Sequence, residues 1–589
     1  MAGFFGRSLR CALIGVAAFA AAFPAAAACQ LGKYLDLPVT MRGRRPIVAA
    51  QIGGKDAQFI LDSGAFFSNL SHATAAQFGL ELRPLPPNLR IQGIGGMVDA
   101  QMTTVHDFRV GGVTFPSMDF TVGGTDMGQI GLIGQNFLHV GDVEYDLPHG
   151  AVRLFKASGC EPGQLAYWAG KRPVTMLKLL PAWSPVQTQA TATVLVNGVK
   201  LTALFDSGAP ISLLTQAAAR KAGLGPDSPG VVHSGNAGGL GSQTTPAYLG
   251  TFASIDIGGE LIRSPKIRFA DVRLGLNDML IGADFFLTHR IYVSNATGRM
   301  FVTYEGGPLF GLAHGGEVTS TGERVDLTDT SAAPTDADGF ARRGAVAMSN
   351  GRPADAVDDF NQAIALAPNE ARYVRQRAAA RLAMHQPLLA VADLDEALNL
   401  DAKDIDAHGM RASIRLAAHE MDGALEDLRA LDTLLPPTAA QRLTLAGLAA
   451  VAGQHDMAIA NYSAWLDSHR EDGERPAALG GRCRTRAIAN RDLEAALADC
   501  NAALKLRPKD ARLSEARALV RFRQGDFKAA RADYDAALGI DPKLGWALYM
   551  RGLAKVKLGD AAGASADRDA ALAIDKGAPE RARKLGLEG

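Results

Sequence analysis

Alternating or short apolar segments in the first half of the chain predict β-structure. Between residue 30 and about residue 305 these segments are bounded by Gly and Asn, which is typical of strands that end in turns. Short helices are predicted at Ser71–Phe78 and Thr215–Ala222, and the glycines that follow, Gly79 and Gly223, are expected to end them in the left-handed conformation. The predicted strands are Ile47–Ile52, Gln58–Leu61, Val140–Tyr145, Val152–Phe155, Thr191–Val196, Lys200–Phe205, Ile255–Ile257 and Arg299–Val302.

The second half of the chain has a helical pattern that repeats every 34 residues. Small side chains recur inside each period, where they let two helices approach closely, and larger ones recur between periods. This pattern resembles tetratricopeptide repeats, which implies an all-α solenoid of about seven units with a capping last unit. An insertion at Glu471–Gly481 is expected to loop out. The period is marked by Pro368, Ala402, Pro436 and Arg470 and then by Pro508, Pro542 and Lys576, and the larger residues are Phe360, Leu394, Leu428, Tyr462 and Tyr534.

The β half contains one pattern twice. Gln58–Ala65 (QFILDSGA) recurs as Thr202–Ala209 (TALFDSGA) at an offset of 144 residues, and Leu132–Phe137 (LIGQNF) recurs as Leu280–Phe285 (LIGADF) at an offset of 148. Because so few residues separate the two offsets, we interpret the two copies as one fold used twice. The predicted units are therefore a signal peptide (1–28), two β lobes (29–165 and 166–305), a Gly-, Ser- and Pro-rich linker (306–336) and the solenoid (337–589).

The N-terminus has the features of a secretory signal. Arg7 and Arg10 precede a short apolar stretch, Cys11–Phe23, and Ala26–Ala28 provides the small residues of a cleavage site. No later apolar run reaches about 18 residues, so no membrane span is predicted. We expect export, to a bacterial periplasm. Lipid attachment at Cys29 is the less favoured alternative, because an alanine stands where a lipoprotein signal usually has leucine.

Composition excludes some classes of partner. Lys+Arg and Asp+Glu both total 61, so the formal net charge is zero and no overall attraction to nucleic acid or to an anionic membrane is expected. A hydrophobic content of 47% and a charged content of 21% are typical of globular domains.

Removal of the signal leaves four cysteines. They are predicted to pair as Cys29–Cys160, at the two ends of the first lobe, and as Cys483–Cys500, on neighbouring helices of the fifth repeat. Free buried thiols are the alternative. No Cys or His cluster has zinc spacing, so no metal and no other cofactor is predicted.

The duplicated motifs resemble those of a known enzyme family. Asp62-Ser63-Gly64 and Asp206-Ser207-Gly208 each end an apolar strand, and Leu132-Ile133-Gly134 and Leu280-Ile281-Gly282 follow them in order. Together they resemble the retropepsin-like aspartic proteases, a likeness that covers nearly half of the chain and implies two tandem all-β barrel lobes. Glycine-rich hairpins lie where that family has its flaps, at Gly93-Ile94-Gly95-Gly96 and at Gly235-Asn236-Ala237-Gly238-Gly239.

The resemblance implies a chemistry for these residues. Asp62 and Asp206 are expected to be the catalytic pair, one from each lobe, which share one proton because two adjacent carboxylates do not both ionise. The ionised member takes a proton from water and the protonated member gives one to the peptide carbonyl. Ser63 and Ser207 are expected to reach across the lobe boundary, and the glycines after them, Gly64 and Gly208, to allow a tight turn.

Neither glycine-rich hairpin has the tyrosine that pepsin-like enzymes carry on one flap, but retroviral-type members also lack it, so its absence does not count against activity. Pro210 follows the second Asp-Ser-Gly motif, where its fixed backbone angle is expected to disturb the loop. Other polar residues near strand ends are interpreted as structural, namely His139, His289, Asp142, Asp146 and Asp284.

The sequence therefore predicts an exported aspartic endopeptidase that cleaves an extended polypeptide, with the repeats recruiting a substrate or a partner protein. Two alternatives stay open: a non-catalytic scaffold that binds peptides, and a protease whose lobes pair only between two chains. In the solenoid, Arg372, Arg375, Arg377 and Arg381 are candidates for binding a carboxylate-bearing peptide, and a solvated helix face is the alternative interpretation.

Overall fold

A computed structural model describes residues 29–86, 89–124, 130–182, 188–241, 243–307, 309–310, 334–470 and 472–588. The predicted signal peptide and most of the predicted linker, residues 308 and 311–333, lie outside the described residues. The predicted fold class is confirmed, because strands occupy the first half and a solenoid of helix pairs occupies the second.

Twelve strands come from the first lobe and twelve from the second within the described residues. Those of the first lobe are β1 (Gln30–Arg42), β2 (Arg45–Ile52), β3 (Lys55–Leu61), β4 (Asn69–Leu70), β5 (Arg83–Pro84), β6 (Ile91–Gly93), β7 (Gly96–Val98), β8 (Gln101–Val110), β9 (Val113–Val122), β10 (Ile130–Ile133), β11 (Asp142–Asp146) and β12 (Ala151–Ser158). Those of the second are β13 (Thr175–Lys178), β14 (Thr191–Val196), β15 (Val199–Phe205), β16 (Leu213–Thr215), β17 (Val232–Ala237), β18 (Thr245–Thr251), β19 (Ser254–Ile257), β20 (Glu260–Arg263), β21 (Lys266–Ala270), β22 (Met279–Ile281), β23 (His289–Ser294) and β24 (Arg299–Tyr304).

Four short α-helices accompany these strands and fifteen follow them in the described solenoid. Those of the lobes are α1 (His72–Gln77), α2 (Gln135–Leu138), α3 (Gln216–Lys221) and α4 (Ala283–Phe286). Those of the solenoid are α5 (Ala337–Ser349), α6 (Pro353–Leu366), α7 (Ala371–Ala383), α8 (Pro387–Leu400), α9 (Ile405–Ala417), α10 (Met421–Leu434), α11 (Arg442–Val451), α12 (His455–Ser468), α13 (Arg475–Ile488), α14 (Leu493–Leu506), α15 (Ala511–Arg523), α16 (Phe527–Ile540), α17 (Gly545–Lys557), α18 (Ala561–Ile574) and α19 (Ala578–Lys584).

Six strands of the first lobe close into a barrel. The order is β2, β3, β10, β4, β9 and β8, and β8 pairs back onto β2. β3 and β10 are parallel, with Leu61 beside Ile133, and β15 and β22 of the second lobe repeat this pairing with Phe205 beside Ile281. The chain after β3 and the chain after β15 therefore each emerge next to a hydrophobic-Gly turn, which places the two Asp motifs at equivalent ends of the two lobes.

The helix after each Asp motif ends as the sequence predicts. Gly79 and Gly223 have positive φ angles of 65° and 93°, the left-handed conformation that glycine adopts without steric cost. The following residues fold back, since the Leu80 N–H donates to the Ala75 carbonyl at 3.0 Å and Leu224 repeats this bond to Ala219 at 2.9 Å.

A further sheet joins the two lobes. Its strand order is β1, β12, β11, β23, β24 and β13. The antiparallel pairing of β11 with β23 connects the two lobes, with Val143 opposite Val293. The sheet contains buried charges, because the Arg153 guanidinium lies 2.9 Å from Asp146 and Arg290 is ion-paired with Glu144. The sheet holds the lobes in one relative orientation.

The solenoid consists of seven antiparallel helix pairs, α5/α6 to α17/α18, followed by the short α19, within the described residues. An arginine of each pair's first helix binds an aspartate of its second helix in six of the seven pairs, and these bonds are internal to the solenoid. The ion pairs are Arg343–Asp359, Arg377–Asp393, Arg411–Asp427, Arg482–Asp499, Arg517–Asp533 and Arg551–Asp567.

One prediction for the solenoid is wrong. The segment Glu471–Gly481 does not loop out as a whole, because α13 begins at Arg475. Pro476 lies in the first turn, where its missing N–H costs nothing, and Leu479 is buried against neighbouring repeats. Burial of Leu479 therefore keeps these residues helical. Glu471 lies outside the described residues.

The candidate arginines of the solenoid are occupied by the chain's own carboxylates. Arg375 lies 2.7 Å from Asp404, and Arg377 and Arg381 lie 2.7 and 2.6 Å from Asp393. Arg372 is ion-paired with Asp338. A peptide carboxylate would have to displace these partners to bind there.

The solenoid contacts the first lobe at three or more places in the described chain. Near its start, the Ser349 hydroxyl donates to the Gly43 carbonyl at 2.5 Å, and Val346 joins the apolar core of the lobes. In the third helix pair, Asp406 lies 3.7 Å from Arg42 of β1. Farther along, Ser468–Arg470 and Asp472 line a small pocket together with Ser71–Ala73 and Gly124 of the first lobe. The solenoid therefore follows the outside of that lobe.

Both predicted disulfides are formed, Cys29–Cys160 across the ends of β1 and β12 and Cys483–Cys500 between α13 and α14. The chain stays with the second lobe as far as Phe310, which is buried in its core. None of the helices in the described part of the chain has the length and apolar character of a membrane span.

Candidate active site

The two predicted catalytic aspartates lie together at the boundary between the lobes. Asp62 follows β3, and its N–H donates to the Ile133 carbonyl at 3.0 Å, while the Asp206 N–H donates to Ile281 at 2.8 Å. A hydrogen bond joins the two carboxyl groups. The site is therefore assembled from both lobes of one chain and needs no second chain to bring the carboxyls together.

Two serines tie the loops to each other. The Ser63 hydroxyl donates to the Phe205 carbonyl of the other lobe at 2.8 Å, and the Ser207 hydroxyl donates to the Leu61 carbonyl at 2.7 Å. Each hydroxyl also accepts a hydrogen bond from the opposite serine's N–H, at 2.9 and 3.1 Å. These four buried bonds cross the lobe boundary, as the sequence predicts for Ser63 and Ser207, and they fix the spacing of the aspartates.

The glycines of the motif provide space for the opposite carboxyl. A Cβ atom at Gly64 would lie 2.5 Å from Asp206 Oδ2, and one at Gly208 would lie 2.6 Å from Asp62 Oδ2. The backbone also holds each carboxylate, because Gly64 and Ala65 N–H groups donate to Asp62 Oδ1 at 2.9 and 2.8 Å. Any side chain in place of either glycine would push the two carboxyls apart.

The second loop has the same geometry despite the proline. Gly208 and Ala209 N–H groups donate to Asp206 Oδ1 at 2.9 and 3.1 Å, matching the first loop. The expected disturbance by Pro210 is absent, since Pro210 comes after the last donor of the loop and removes none of these bonds.

Burial and charge separate the proton affinities of the pair. Burial raises the pKa of Asp62 above its ordinary value, and the hydrogen bonds from Asp206 and from the loop backbone offset only part of this rise. Burial and the adjacent Asp62 charge both hold the pKa of Asp206 well above its ordinary range. The pair therefore keeps one proton when its other carboxyl is ionised, the state that acid–base chemistry requires.

The hydrophobic-Gly turns support each loop through a second polar contact. The Ser68 hydroxyl donates to Asn136 Oδ1 at 2.8 Å and accepts from the Gly134 N–H at 3.1 Å. In the second lobe Ser212 repeats this arrangement, with Asp284 in place of the asparagine at 2.6 Å. Burial raises the pKa of Asp284, and the predicted structural role agrees with this contact.

The two glycine-rich hairpins contact each other. β6 and β7 form the first hairpin, and its Gly95 N–H donates to the Leu240 carbonyl of the second lobe at 3.0 Å, while the Gln243 N–H donates back to Gly95 at 2.9 Å. A Cβ atom at Gly95 would lie 2.6 Å from the carbonyl carbon of Gly241. The backbones can approach this closely only because both tips are glycine.

The other predicted flap glycines take different positions. Gly93 lies against Leu240, Gly96 against the Gln243 side chain and Gly239 against Ile94, all at the meeting of the hairpins. Gly238 contacts Thr244 within its own hairpin. Gly235 lies at a register shift between β17 and β18 with no atom within 4 Å of where its Cβ would stand, so it takes no part in the contact.

Sequence reasoning missed several residues around the pair. Gln135 Nε2 donates to the Ser63 carbonyl at 2.7 Å, and the Tyr145 hydroxyl of β11 is hydrogen-bonded to the Ser63 side chain. Gln189 donates to the Gly64 carbonyl, and Arg45 stands close enough to Asp62 to lower its pKa. Arg45 and Gln189 are separated by 144 residues, the same offset that separates Asp62 from Asp206. Comparing the two copies at this offset would therefore have identified Arg45 and Gln189 as equivalent positions.

The arrangement provides an acid and a base in contact with each other, each at the end of an apolar strand. Within the described residues no group of three or more His, Cys, Asp or Glu side chains has the arrangement of a metal site. A water held between the two carboxyl groups would be within reach of both, which is the geometry for adding water to a carbonyl group.

Comparison with known families agrees with this geometry. Residues 48–137 and 192–285 both match the family model described as aspartyl protease, and residues 483–548 match a tetratricopeptide repeat model. Each aspartyl protease match contains one Asp-Ser-Gly loop and its hydrophobic-Gly turn. No curated protein sequence matches the chain.

Solved structures similar to the chain are helical-repeat proteins. A tetratricopeptide repeat protein from Parabacteroides merdae is 16% identical with a TM-score of 0.34, over 43% of this chain and 98% of that one. The APC/C hetero-tetramer Cut9–Hcn1 is 15% identical with a TM-score of 0.32, over 43% and 49%. YrrB, described as a TPR protein with an unusual peptide-binding site, is 14% identical with a TM-score of 0.24, over 39% and 99%.

Proposed function

Because the chain carries two tandem aspartyl protease domains followed by tetratricopeptide repeats, we propose that it is an exported aspartic endopeptidase. The observation that carries the proposal is the hydrogen-bonded pair of Asp62 and Asp206, held by the four cross-lobe serine bonds. A peptide clamp without catalysis would not require two half-buried carboxyls in contact, since burying acids that have no chemical role is costly.

The proposed reaction uses the shared proton. The ionised carboxylate takes a proton from the water between the two groups, and the water oxygen bonds to the carbonyl carbon of the scissile peptide. The protonated carboxyl gives its proton to the carbonyl oxygen. Collapse of the resulting diol breaks the C–N bond, the amine leaves with the proton taken from water, and the diol proton returns to the carboxyl that donated it.

The hairpins support an extended polypeptide as the substrate. Gly95 and Leu240 bond to each other through backbone groups, and we propose that these bonds open when a peptide enters. The same backbone groups then become available to bind the main chain of the substrate, and closing over it excludes water.

We propose that the solenoid brings a substrate or partner protein to the cleft. Its contact with the first lobe at Ser71–Ala73 and Gly124 supports this role. Gly124 lies against Leu240 of the hairpin contact, so the solenoid comes close to the place where the hairpins contact each other. A protein held in the solenoid would therefore present its chain near the site.

Export is supported by two observations. Residues 1–28 have the pattern of a secretory signal, and both disulfides need an oxidising compartment such as the bacterial periplasm to persist. Cleavage of the signal would leave Cys29 near the new N-terminus, where its bond to Cys160 would prevent lipid attachment to the same sulfur.

Hydrolysis of an unfolded protein by the full chain tests the proposal. Asp62→Asn and Asp206→Asn should each lower the cleavage rate by about 10²–10⁴-fold or more, since each removes one partner of the acid–base pair. Asp227→Asn, an exposed aspartate of the second lobe, is the matched control and should cleave like the wild type.

Two outcomes would contradict the proposal. A wild-type chain that binds unfolded protein without cutting it, with the two asparagine variants binding equally well, would make the chain a peptide-binding scaffold. Restored cleavage on mixing the two asparagine variants would mean that lobes pair between chains, because one chain of each kind has only one catalytic aspartate.

A further inference from the structure

The two halves of the site differ at the position opposite each aspartate. β2 and β3 are antiparallel with Ile47 opposite Ile60 at the end of their ladder, and continuing this register by two residues brings Arg45 to the position opposite Asp62. β14 and β15 pair Thr191 with Leu204 at the end of theirs, and the same continuation brings Gln189 to the position opposite Asp206. Equivalent positions of the duplicated lobe therefore carry a cation on one side and a neutral amide on the other.

The two side chains also differ in their partners. Gln189 donates to the Gly64 carbonyl across the lobe boundary. The half-buried Arg45 guanidinium has no hydrogen bond and no ion pair to any residue in the described ranges. The positive charge of Arg45 is therefore not neutralised by a direct partner, and it interacts electrostatically with Asp62, the acid at the end of the neighbouring strand.

The groups that face Asp62 come from three elements. Arg45 stands on β2, Asp206 on the loop after β15, and Tyr145 on β11. Burial raises the pKa of Tyr145, so its hydroxyl stays neutral and Arg45 is the one positive charge among these three groups. An asymmetric charge beside a symmetric acid pair stabilises ionisation of the nearer acid, by an amount that grows as the surroundings exclude water.

We infer that Arg45 is a positioning residue that places the shared proton on Asp206 and keeps Asp62 as the ionised carboxylate that activates water. The inference rests on the proposed function only for its catalytic consequence, because the position of the proton is a property of the resting protein. Arg45 itself does not touch the reacting atoms, and it acts through Asp62.

The chain provides its own matched variants. Arg45→Gln gives the first lobe the residue of the second, Arg45→Lys keeps the charge, and Gln189→Arg places a charge opposite Asp206. The double variant Arg45→Gln with Gln189→Arg moves the charge from one aspartate to the other. Carboxyl ¹³C NMR of Asp-labelled full-length protein, assigned with Asp62→Asn and Asp206→Asn, follows which aspartate ionises first as the pH rises.

We expect the wild type to ionise Asp62 first and the double variant to ionise Asp206 first. Arg45→Gln should move the first ionisation of the pair to higher pH, and cleavage on the acid limb of the kcat/KM profile should fall by roughly tenfold for each pH unit of that shift. Arg45→Lys should keep the wild-type profile, a rescue that loss of packing alone would not produce.

Other results would overturn the inference. They are an unchanged order of ionisation in the double variant, or equal shifts in Arg45→Gln and Arg45→Lys. Gln189→Arg leaves Arg45 in place, so it tests the same inference if Arg45→Gln fails to fold. In Gln189→Arg the second ionisation of the aspartate pair should move to lower pH, because the new charge lies near Asp206. An unchanged second ionisation would contradict the inference. If the wild type never cleaves, only the proposed function is contradicted. The NMR titration still measures which aspartate carries the shared proton.

Discussion

The two lobes build the same loop around different neighbours. In both, an aspartate accepts two backbone N–H bonds and a serine bonds the other lobe, with distances that agree within about 0.3 Å. Outside the loop they differ, because the first lobe has Arg45 where the second has Gln189, and Asn136 where the second has Asp284. Only the first lobe has a disulfide across its ends.

The difference shows what a duplication inside one chain permits. Two identical chains that pair about a two-fold axis must place the same residue on both sides of a shared site. Two copies in one chain keep the residues that form the contact and change the others independently. Three pairs of substitutions test how far the equivalence of the lobes extends, and a fourth compares the first lobe with the solenoid.

The largest expected effect is on stability, and it concerns the first lobe alone. Replacing Cys29 and Cys160 by serine opens a loop of 131 residues and should lower the free energy of unfolding by up to about 5 kcal/mol, because the unfolded chain gains freedom. Scanning calorimetry should show the loss in the β-lobe transition. The same change at Cys483 and Cys500 opens 17 residues and should cost about 3 kcal/mol in the solenoid, and a larger loss there would contradict the loop argument.

The next effect should be equal in the two lobes. Gly64→Ala and Gly208→Ala each place a Cβ against the opposite carboxyl and should lower kcat by about 10²-fold or more, because the two acids are moved apart. Steady-state cleavage assays measure this. Gly163→Ala, whose Cβ would meet no atom within 4 Å, is the control. Retained activity in either alanine variant would mean that the loops do not need this close approach.

The serine bonds should show a smaller and unequal effect. Ser63→Ala and Ser207→Ala each leave a buried carbonyl and a buried N–H without partners, at a cost of about 1–3 kcal/mol. Ser63→Ala should cost more, since the Tyr145 hydroxyl also loses its bond. Calorimetry compares them, with the threonine variants as controls that keep the hydroxyl. A greater loss in Ser207→Ala would exclude the contribution of Tyr145.

The smallest effect concerns Asp284 and depends on pH. Burial raises the pKa of Asp284 above its ordinary 3.8, so the folded chain holds this proton more tightly than the unfolded chain. Its contribution to stability is full below about pH 4 and is lost as the pH rises through the folded pKa. Asp284→Asn should therefore unfold like the wild type at pH 3 and be more stable at pH 7, on the order of 1 kcal/mol.

Thermal unfolding from pH 3 to pH 7 measures the Asp284 effect. The reciprocal variant, Asn136→Asp, should lose stability over the same range, because it places the same acid in the equivalent position of the first lobe. If the difference between Asp284→Asn and the wild type does not grow with pH, the buried carboxyl is not the cause.

The sequence predicted the parts of the site that are carried by motifs. The Asp-Ser-Gly loops, the hydrophobic-Gly turns, the two cysteine pairs and the presence of two glycine-rich hairpins all follow from short patterns that occur twice or pair by position. It did not predict β8 and β9, or the contribution of β1 to the sheet that joins the lobes. It also missed Gln135 and Tyr145, because their importance depends on which strand lies beside which.

Local chemistry and duplication thus determined from the sequence alone that two acidic loops exist and that helices stack after them. Only the tertiary structure decided that both loops meet within one chain, that the hairpin tips bond to each other and that a single arginine faces one acid. The physical reason is that a strand's own residues determine the alternation of its apolar and polar side chains. Which residue lies opposite on the adjacent strand depends instead on the register between segments far apart in the chain.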